Sequence, residues 1–260
     1  ILGALTVALM FQFCIMAFDR RTAWVAAILQ VGYWPITYHE AERLIPALTL
    51  PLDMLFLLAL ALAGKTRRTR YALLAGLSAG LSAIARPSIL IAVPAGAAWL
   101  AMNVGSQWRR HTAVLLVALV AIILPVSVRN LVRGHDRVLI SSQGGVNFFI
   151  GNNPESDGVH AVVPGTRADW WGGFDDTRRI AQNAAGRELK PSEVSRYWYH
   201  RGTDFLLHEP RAAVRLYLRK AALLVGNAEP SNERQLYFRR EHSTMLRLLF
   251  VNVALLLSAT

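Results

Sequence analysis

Leu44-Ile45-Pro46-Ala47-Leu48-Thr49-Leu50-Pro51-Leu52-Asp53-Met54-Leu55-Phe56-Leu57-Leu58-Ala59-Leu60-Ala61-Leu62-Ala63 is an apolar run closed by Gly64-Lys65-Thr66-Arg67-Arg68-Thr69-Arg70. A transmembrane helix needs roughly 20 predominantly apolar residues. This run supplies them with a single acidic residue, Asp53, near Pro51. The cationic cluster at its end marks a cytoplasmic face, because short cytoplasmic loops carry the excess of Lys and Arg.

The same pattern extends to both sides. Ile1 to Phe18 is an apolar run ending at Asp19-Arg20-Arg21, and Thr22 to Ile36 is a second. Tyr71 to Ala85 follows the opening run and is full of small residues, which let helix backbones approach closely in lipid. Ser88 to Val104 leads to Gln107-Trp108-Arg109-Arg110-His111, and Thr112 to Val128 is the last run before a polar stretch. The Thr22 and Tyr71 runs are short for a full span. The fold class expected is mainly α: a polytopic membrane helical bundle of about six spans, with a mixed, mostly helical extracytoplasmic domain.

The loops alternate in charge. Those at 19–21, 65–70 and 109–111 are mainly basic, whereas 38–43 and 86–87 carry acids or a single Arg. The first set is then cytoplasmic and the second set faces outward. Counting spans places the chain outside at Arg129. The expected domains are a bundle over 1–130, a periplasmic or extracellular domain over 131–243, and the start of a further span over 244–260. The chain begins and ends inside apolar runs, so it is expected to be an internal fragment of a longer protein.

Within the polar region, Val138 to Ser141 and Val146 to Ile150 read as short strands flanking a Gly144-Gly145 turn. Asp175-Asp176 offers an N-cap for a helix to about Ala185. Pro191 and Pro210 each open a further helix, the last ending near Gly226. That last helix carries Arg211, Arg215 and Arg219 at intervals of four, with Lys220 beside them. This is either a solvated charged face or a helix at a membrane surface meeting lipid phosphate.

Composition narrows the function. Of 260 residues, 53% are hydrophobic and 17% charged, and the apolar residues come in blocks, as in an integral membrane protein. The net charge of +11 resides largely in loops, where it sets topology and attracts anionic lipid, so nucleic acid is not an expected partner. Cys14 is the lone cysteine, which excludes an internal disulfide framework and a Cys-based zinc site. There is no H-x-x-x-H pair, no phosphate-binding Gly-rich fingerprint and no G-x-S-x-G context around Ser141-Ser142.

Three places carry candidate chemistry. Tyr38-His39-Glu40-Ala41-Glu42-Arg43 reads as a short polar loop between apolar helices. Its two carboxylates and imidazole can remove a proton from an acceptor hydroxyl or bind a metal, and the loop equally reads as a solvated turn. Arg86 closes the small-residue helix and is followed by Pro87. It is suited to a bidentate grip on a lipid-linked phosphate, or it snorkels at the headgroups. Asn152 and Asn153 sit in a Gly/Asn turn and can present amide donors to a phosphate or sugar.

Together these stretches resemble a known family. Tyr38-His39-Glu40-Ala41-Glu42-Arg43-Leu44-Ile45-Pro46 is similar to the YFEGELL-P segment of bacterial membrane glycosyltransferases. Gly76 to Pro87 resembles their GLxxGLaaLaRP helix. Pro125, Arg129-Asn130 and Ser141 to Pro154 resemble their P-x-x-x-RN…SxxGGxNFxIGNnP entry into the outer domain. The family is the glycosyltransferase family 39-like group, which uses polyprenyl-phosphate sugars and includes protein O-mannosyltransferases and lipid A aminoarabinose transferase.

The resemblance implies a GT-C fold in the bacterial cytoplasmic membrane, multi-pass. It implies an inverting transfer of a hexosyl or pentosyl group from an undecaprenyl- or dolichyl-phosphate donor to a protein, lipid or glycan acceptor outside the cytoplasm. It also implies a divalent metal, Mg or Mn, in some members, for which Glu42 and His39 are the candidates here. Glu42 matches the family's second acid and Glu40 is the fallback; the principal acid is expected upstream of Ile1, so the fragment alone is expected to be inactive. His39 stands where the family often has an aromatic. Arg86, Arg129, Asn152, Arg215 and Arg219 are the candidates for holding the donor phosphate. Two other classes fit the bare pattern: a polytopic transporter, for which Asp53 beside a proline is the mid-span feature, and a membrane-anchored binding protein without catalysis.

Overall fold

The structure, a computed structural model, describes residues 1–42, 44–226, 236–249 and 251. The chain is mainly helical, and among the described residues no strand forms; the β-type pairing present is an isolated bridge between Tyr33 and Val251. Two compact units divide between Arg129 and Asn130, with 244–251 joining the first and 130–243 forming most of the second.

The first unit is built from α1 (Leu2–Ala17), α2 (Arg20–Gly32), α3 (Trp34–Ala41), α4 (Ile45–Thr66), α5 (Thr69–Ala85), α6 (Ala92–Asn103) and most of α7 (Trp108–Gly134). A short helix, Thr244–Leu248, also belongs to it. Helix α4 and the stretch Gly105–Gly134 that contains α7 are long and apolar enough to cross a membrane by length and composition. Leu2–Ala17 and Pro87–Asn103 are apolar but shorter.

Small residues set the packing here. The buried side of α5 is Ala72, Ala75, Gly76, Ser78, Ala79, Gly80, Ser82 and Ala83. A methyl at Gly76 would collide with the Leu115 carbonyl and Ala118, and one at Gly80 with Ile122, so α5 lies directly on α7. On the other flank, a methyl at Gly96 of α6 would meet Phe56 and Leu60 of α4. The Trp99 indole nitrogen donates to the Leu60 carbonyl at 3.2 Å across the same seam. Backbones brought this close gain dispersion contacts that larger side chains would block.

Two sequence expectations are corrected in this unit. The run from Thr22 to Ile36 is not one helix; it breaks at Tyr33, and Trp34-Pro35 opens α3, proline being at home in a first helical turn. Tyr38 to Ala41 therefore lie on the last turn of a helix rather than in a loop, with the Glu42 N–H donating to the Tyr38 carbonyl at 3.1 Å.

The second unit packs α8 (Gly144–Gly151), α9 (Trp170–Ala185) and α11 (Pro210–Val225) against α10 (Pro191–His208). Leu236–Glu241 forms α12. Most of the further span expected over 244–260 lies outside the described residues. The core of this unit is Val146, Phe149, Val163, Ala181, Leu189, Val194 and Trp198.

The expected strands are corrected. Val138 to Ser141 is irregular, and its Val138 and Ile140 carbonyls accept from the Asn130 amide at 3.1 and 3.3 Å. Val146 to Ile150 is helical, because Val146, Phe149 and Ile150 at i, i+3, i+4 all reach the core. Gly145 makes this possible: its N–H donates to Ser195 Oγ at 2.9 Å, and any Cβ there would strike the Ser195 carbonyl. The expected cap at Asp175-Asp176 is corrected too. Asp169 caps α9, accepting from the Gly172 N–H at 2.7 Å. Asp176 instead turns to Arg167 and Arg179, at 3.0 and 2.8 Å.

These ion pairs make the second unit acid-sensitive. The Arg167 guanidinium and its backbone N–H hold the Asp176 carboxyl below its ordinary range. Arg187 and the Lys190 N–H hold Glu193 down to about 2. Hydrogen bonds from the His160 and Val159 N–H groups lower Asp157. A carboxyl depressed in the folded state contributes stability that is complete above its unfolded value, about 4, and is lost as pH falls toward the folded one. The melting temperature of this unit, followed by near-UV circular dichroism, should therefore be flat from neutrality to about pH 5 and drop steeply below about pH 4. Asp176→Asn should flatten that drop; an unchanged acid limb would show that Asp176 is not among its sources.

Candidate functional site

The residues singled out in the sequence fall on both units. In the first, His39, Glu40 and Glu42 sit at the end of α3, held there by the buried Trp34, Pro35 and Tyr38. Tyr38 is 3% exposed, its ring meets His39 edge-on at 5.5 Å, and its hydroxyl is buried with no hydrogen-bond partner among the described residues. The Glu40 carboxylate lies directly against Gly3 of α1, where a methyl would occupy the space of its oxygens. Glycine at position 3 thus makes room for a half-buried acid beside an apolar helix. Glu42 is the C-cap of α3 and is also half-buried. Arg43, next in the motif, lies outside the described residues.

A second polar place in this unit joins α4 to α5. Ser82 Oγ donates to Asp53 Oδ1 at 2.6 Å. Arg86, one turn beyond Ser82, ends α5 with its N–H on the Ser82 carbonyl at 2.7 Å. Its guanidinium is exposed, and its charge acts on Asp53. A carboxylate among apolar helices is expensive; the Ser82 hydrogen bond and the Arg86 charge offset part of that cost. Arg129 is exposed near the end of α7.

In the second unit, Asn152 is buried and spent on the fold. Its amide nitrogen donates to the Phe148 carbonyl at 2.8 Å, and its oxygen accepts from the Tyr217 hydroxyl at 3.0 Å. Asn153 closes the same helix end, donating to Phe149 at 2.9 Å. Lys220 donates to the Gly151 carbonyl, and burial pushes its ammonium below the ordinary lysine range. Tyr217 and Lys220 of α11 therefore cap α8. Arg215 and Arg219, on the same helix, are exposed.

The chain matches no family model, no curated protein and no solved structure. Among the described residues, no three His, Cys, Asp or Glu side chains gather to hold a metal ion.

Sequence reading singled out Asp53 and Arg86 separately; it did not find Ser82. Ser82 lies four residues before Arg86, so the spacing signals a shared helix face. Its pairing with Asp53, 29 residues away, depends on how α4 and α5 register, which no local pattern encodes. Gly3 was likewise invisible, since its role appears only when α3 folds back onto α1.

Proposed function

We propose that the chain is part of a GT-C-type integral-membrane glycosyltransferase that moves a sugar from a polyprenyl-phosphate donor to an acceptor outside the cytoplasm. The observation that supports this best is the presence of two half-buried carboxylates, Glu40 and Glu42, at the end of a short helix in the unit that also presents an exposed arginine, Arg86. A carboxylate and an exposed guanidinium are the two groups this transfer asks of a protein. Phosphate is already a good leaving group, so no strong acid is needed behind it.

In the reaction, Glu42 orients the acceptor hydroxyl and takes its proton as the oxygen attacks the sugar C1. The bond from C1 to the phosphate oxygen breaks, polyprenyl phosphate leaves with the electron pair, and the configuration at C1 inverts. Arg86 neutralises charge growing on that phosphate. Asp53 and Ser82 fix the end of α5 from which Arg86 projects. Arg129 is a further cation for the donor, and Glu40, held against Gly3, is the alternative base. The six-span bundle, its orientation and its place in a bacterial cytoplasmic membrane are part of the same proposal.

The test uses membranes containing the intact protein, with undecaprenyl phosphate carrying a radiolabelled hexose or pentose. Label should pass into an acceptor fraction while free polyprenyl phosphate accumulates. Label that stays on the lipid with every sugar tried would overturn the proposal. Loss of solute uptake on Asp53→Asn would then favour a transporter.

A further inference from the structure

Helix α11 is divided lengthwise into three faces. Ala213 and Leu216 are buried against Phe205 of α10, and Tyr217 and Lys220 reach α8 from the edge of that inner face. The remaining surface is outward and has two halves. On one lie Val214, Leu218 and Val225, exposed by 59%, 66% and 59%, with the half-exposed ring of Tyr217 at its margin. On the other lie Arg211, Arg215 and Arg219, all exposed. With 100° per residue, the two halves adjoin from Arg211 to Arg219.

A helix turned toward water alone has no use for a row of exposed large aliphatic side chains on one side. A protein partner is fitted by the apolar half but leaves three arginines at intervals of one turn unexplained. A bilayer surface fits both halves, because aliphatic side chains enter the acyl boundary while guanidinium groups stay among headgroup phosphates. The sign matters as well: three cations on one edge complement anionic lipid. A membrane is also at hand, since the second unit begins at Asn130 on α7, which lies within a stretch long and apolar enough to span one.

We propose that the outer face of α11 lies on an anionic bilayer surface, with Val214, Leu218 and Val225 in the acyl boundary and Arg211, Arg215 and Arg219 on lipid phosphates. This does not rest on the glycosyltransferase reading. It concerns the lipids of the bilayer, not a sugar donor.

The experiment places single spin labels in the full chain, with Cys14→Ala removing the native thiol. Labels go at Val214→Cys and Leu218→Cys, with Asn183→Cys, at an exposed position of α9, as the control. The protein is reconstituted into vesicles of phosphatidylcholine with or without phosphatidylglycerol. Collision with oxygen is compared with collision with a water-soluble nickel chelate. With phosphatidylglycerol, the labels at 214 and 218 should favour oxygen and the control should favour nickel. Charge reversal of Arg211, Arg215 and Arg219 to Glu should return both labels to water.

Three results would overturn the proposal. Labels at 214 and 218 that favour nickel in both lipids would show that the face is merely solvated. Labels shielded from both reagents would show that protein covers it. Oxygen preference that persists without phosphatidylglycerol and after charge reversal would remove the anionic lipid from the interaction.

Discussion

Glu42→Gln should lower sugar transfer by about 10²–10⁴-fold, the range that a positioned general base contributes, while leaving the melting temperature nearly unchanged. The substitution keeps the shape of the side chain and removes its ability to take a proton. Glu42 is half-buried at a helix end, where the amide fills the same volume. The loss should appear in kcat more than in KM, because the acceptor is still bound but not activated. Arg86→Ala should cost about 10²–10³-fold, as removal of a donor to developing charge does elsewhere. Arg86→Lys should recover part of that, since a point charge replaces a bidentate fork. Glu40→Gln separates the two acids. Its carboxylate is wedged against Gly3, so a loss there should come with a shifted melting temperature, whereas a loss at Glu42 should not. If Glu42→Gln and Arg86→Ala both retain full transfer in the intact protein, the assignment of the site is wrong.

The helices of the first unit were legible because hydrophobic blocks and basic clusters are long-range, redundant signals. The opening run from Leu44 to Ala63 became α4, and the small-residue run became α5 nearly to the residue. What escaped were short segments whose state is decided by tertiary contacts. Val146 to Ile150 alternates well enough for a strand, and a short apolar run is ambiguous between strand and helix. The deciding facts, the Ser195 hydroxyl receiving the Gly145 N–H and the core waiting for Val146 and Phe149 together, lie some 50 residues along the chain. The polar motif at 38–42 was read as a loop for a similar reason. Its local composition is polar, but Trp34, Pro35 and Tyr38 bury an apolar side that completes a helix. Of the site, the residue types were visible and the company they keep was not. Asn152 reads as a free amide in sequence, yet Phe148 and Tyr217 consume both its ends.

Trp198→Ala should remove the second unit's cooperative fold or come close to it. Trp198 is 2% exposed at the centre of that core, its ring centroid is 4.8 Å from that of Phe149, and its indole nitrogen donates to the Thr177 carbonyl at 3.2 Å. Truncating a buried Trp costs about 3–5 kcal/mol, against a domain stability of only about 5–15 kcal/mol. The partner substitutions then discriminate between the helix and a strand at 146–150. In a strand, Val146, Phe148 and Ile150 would share a face and Phe149 would point away. In α8, Phe149 faces Trp198 while Phe148 covers Gly202 of α10 from a half-exposed position. Phe149→Ala should therefore destabilise by about 3–5 kcal/mol and Phe148→Ala by distinctly less. The measurement is chemical denaturation followed by the near-UV tryptophan signal, with partial proteolysis to show that the loss is confined to residues beyond Asn130. Equal effects at 148 and 149 would be incompatible with the helical register. So would a larger effect at 148, because the energetic asymmetry follows directly from which ring the helix turns inward.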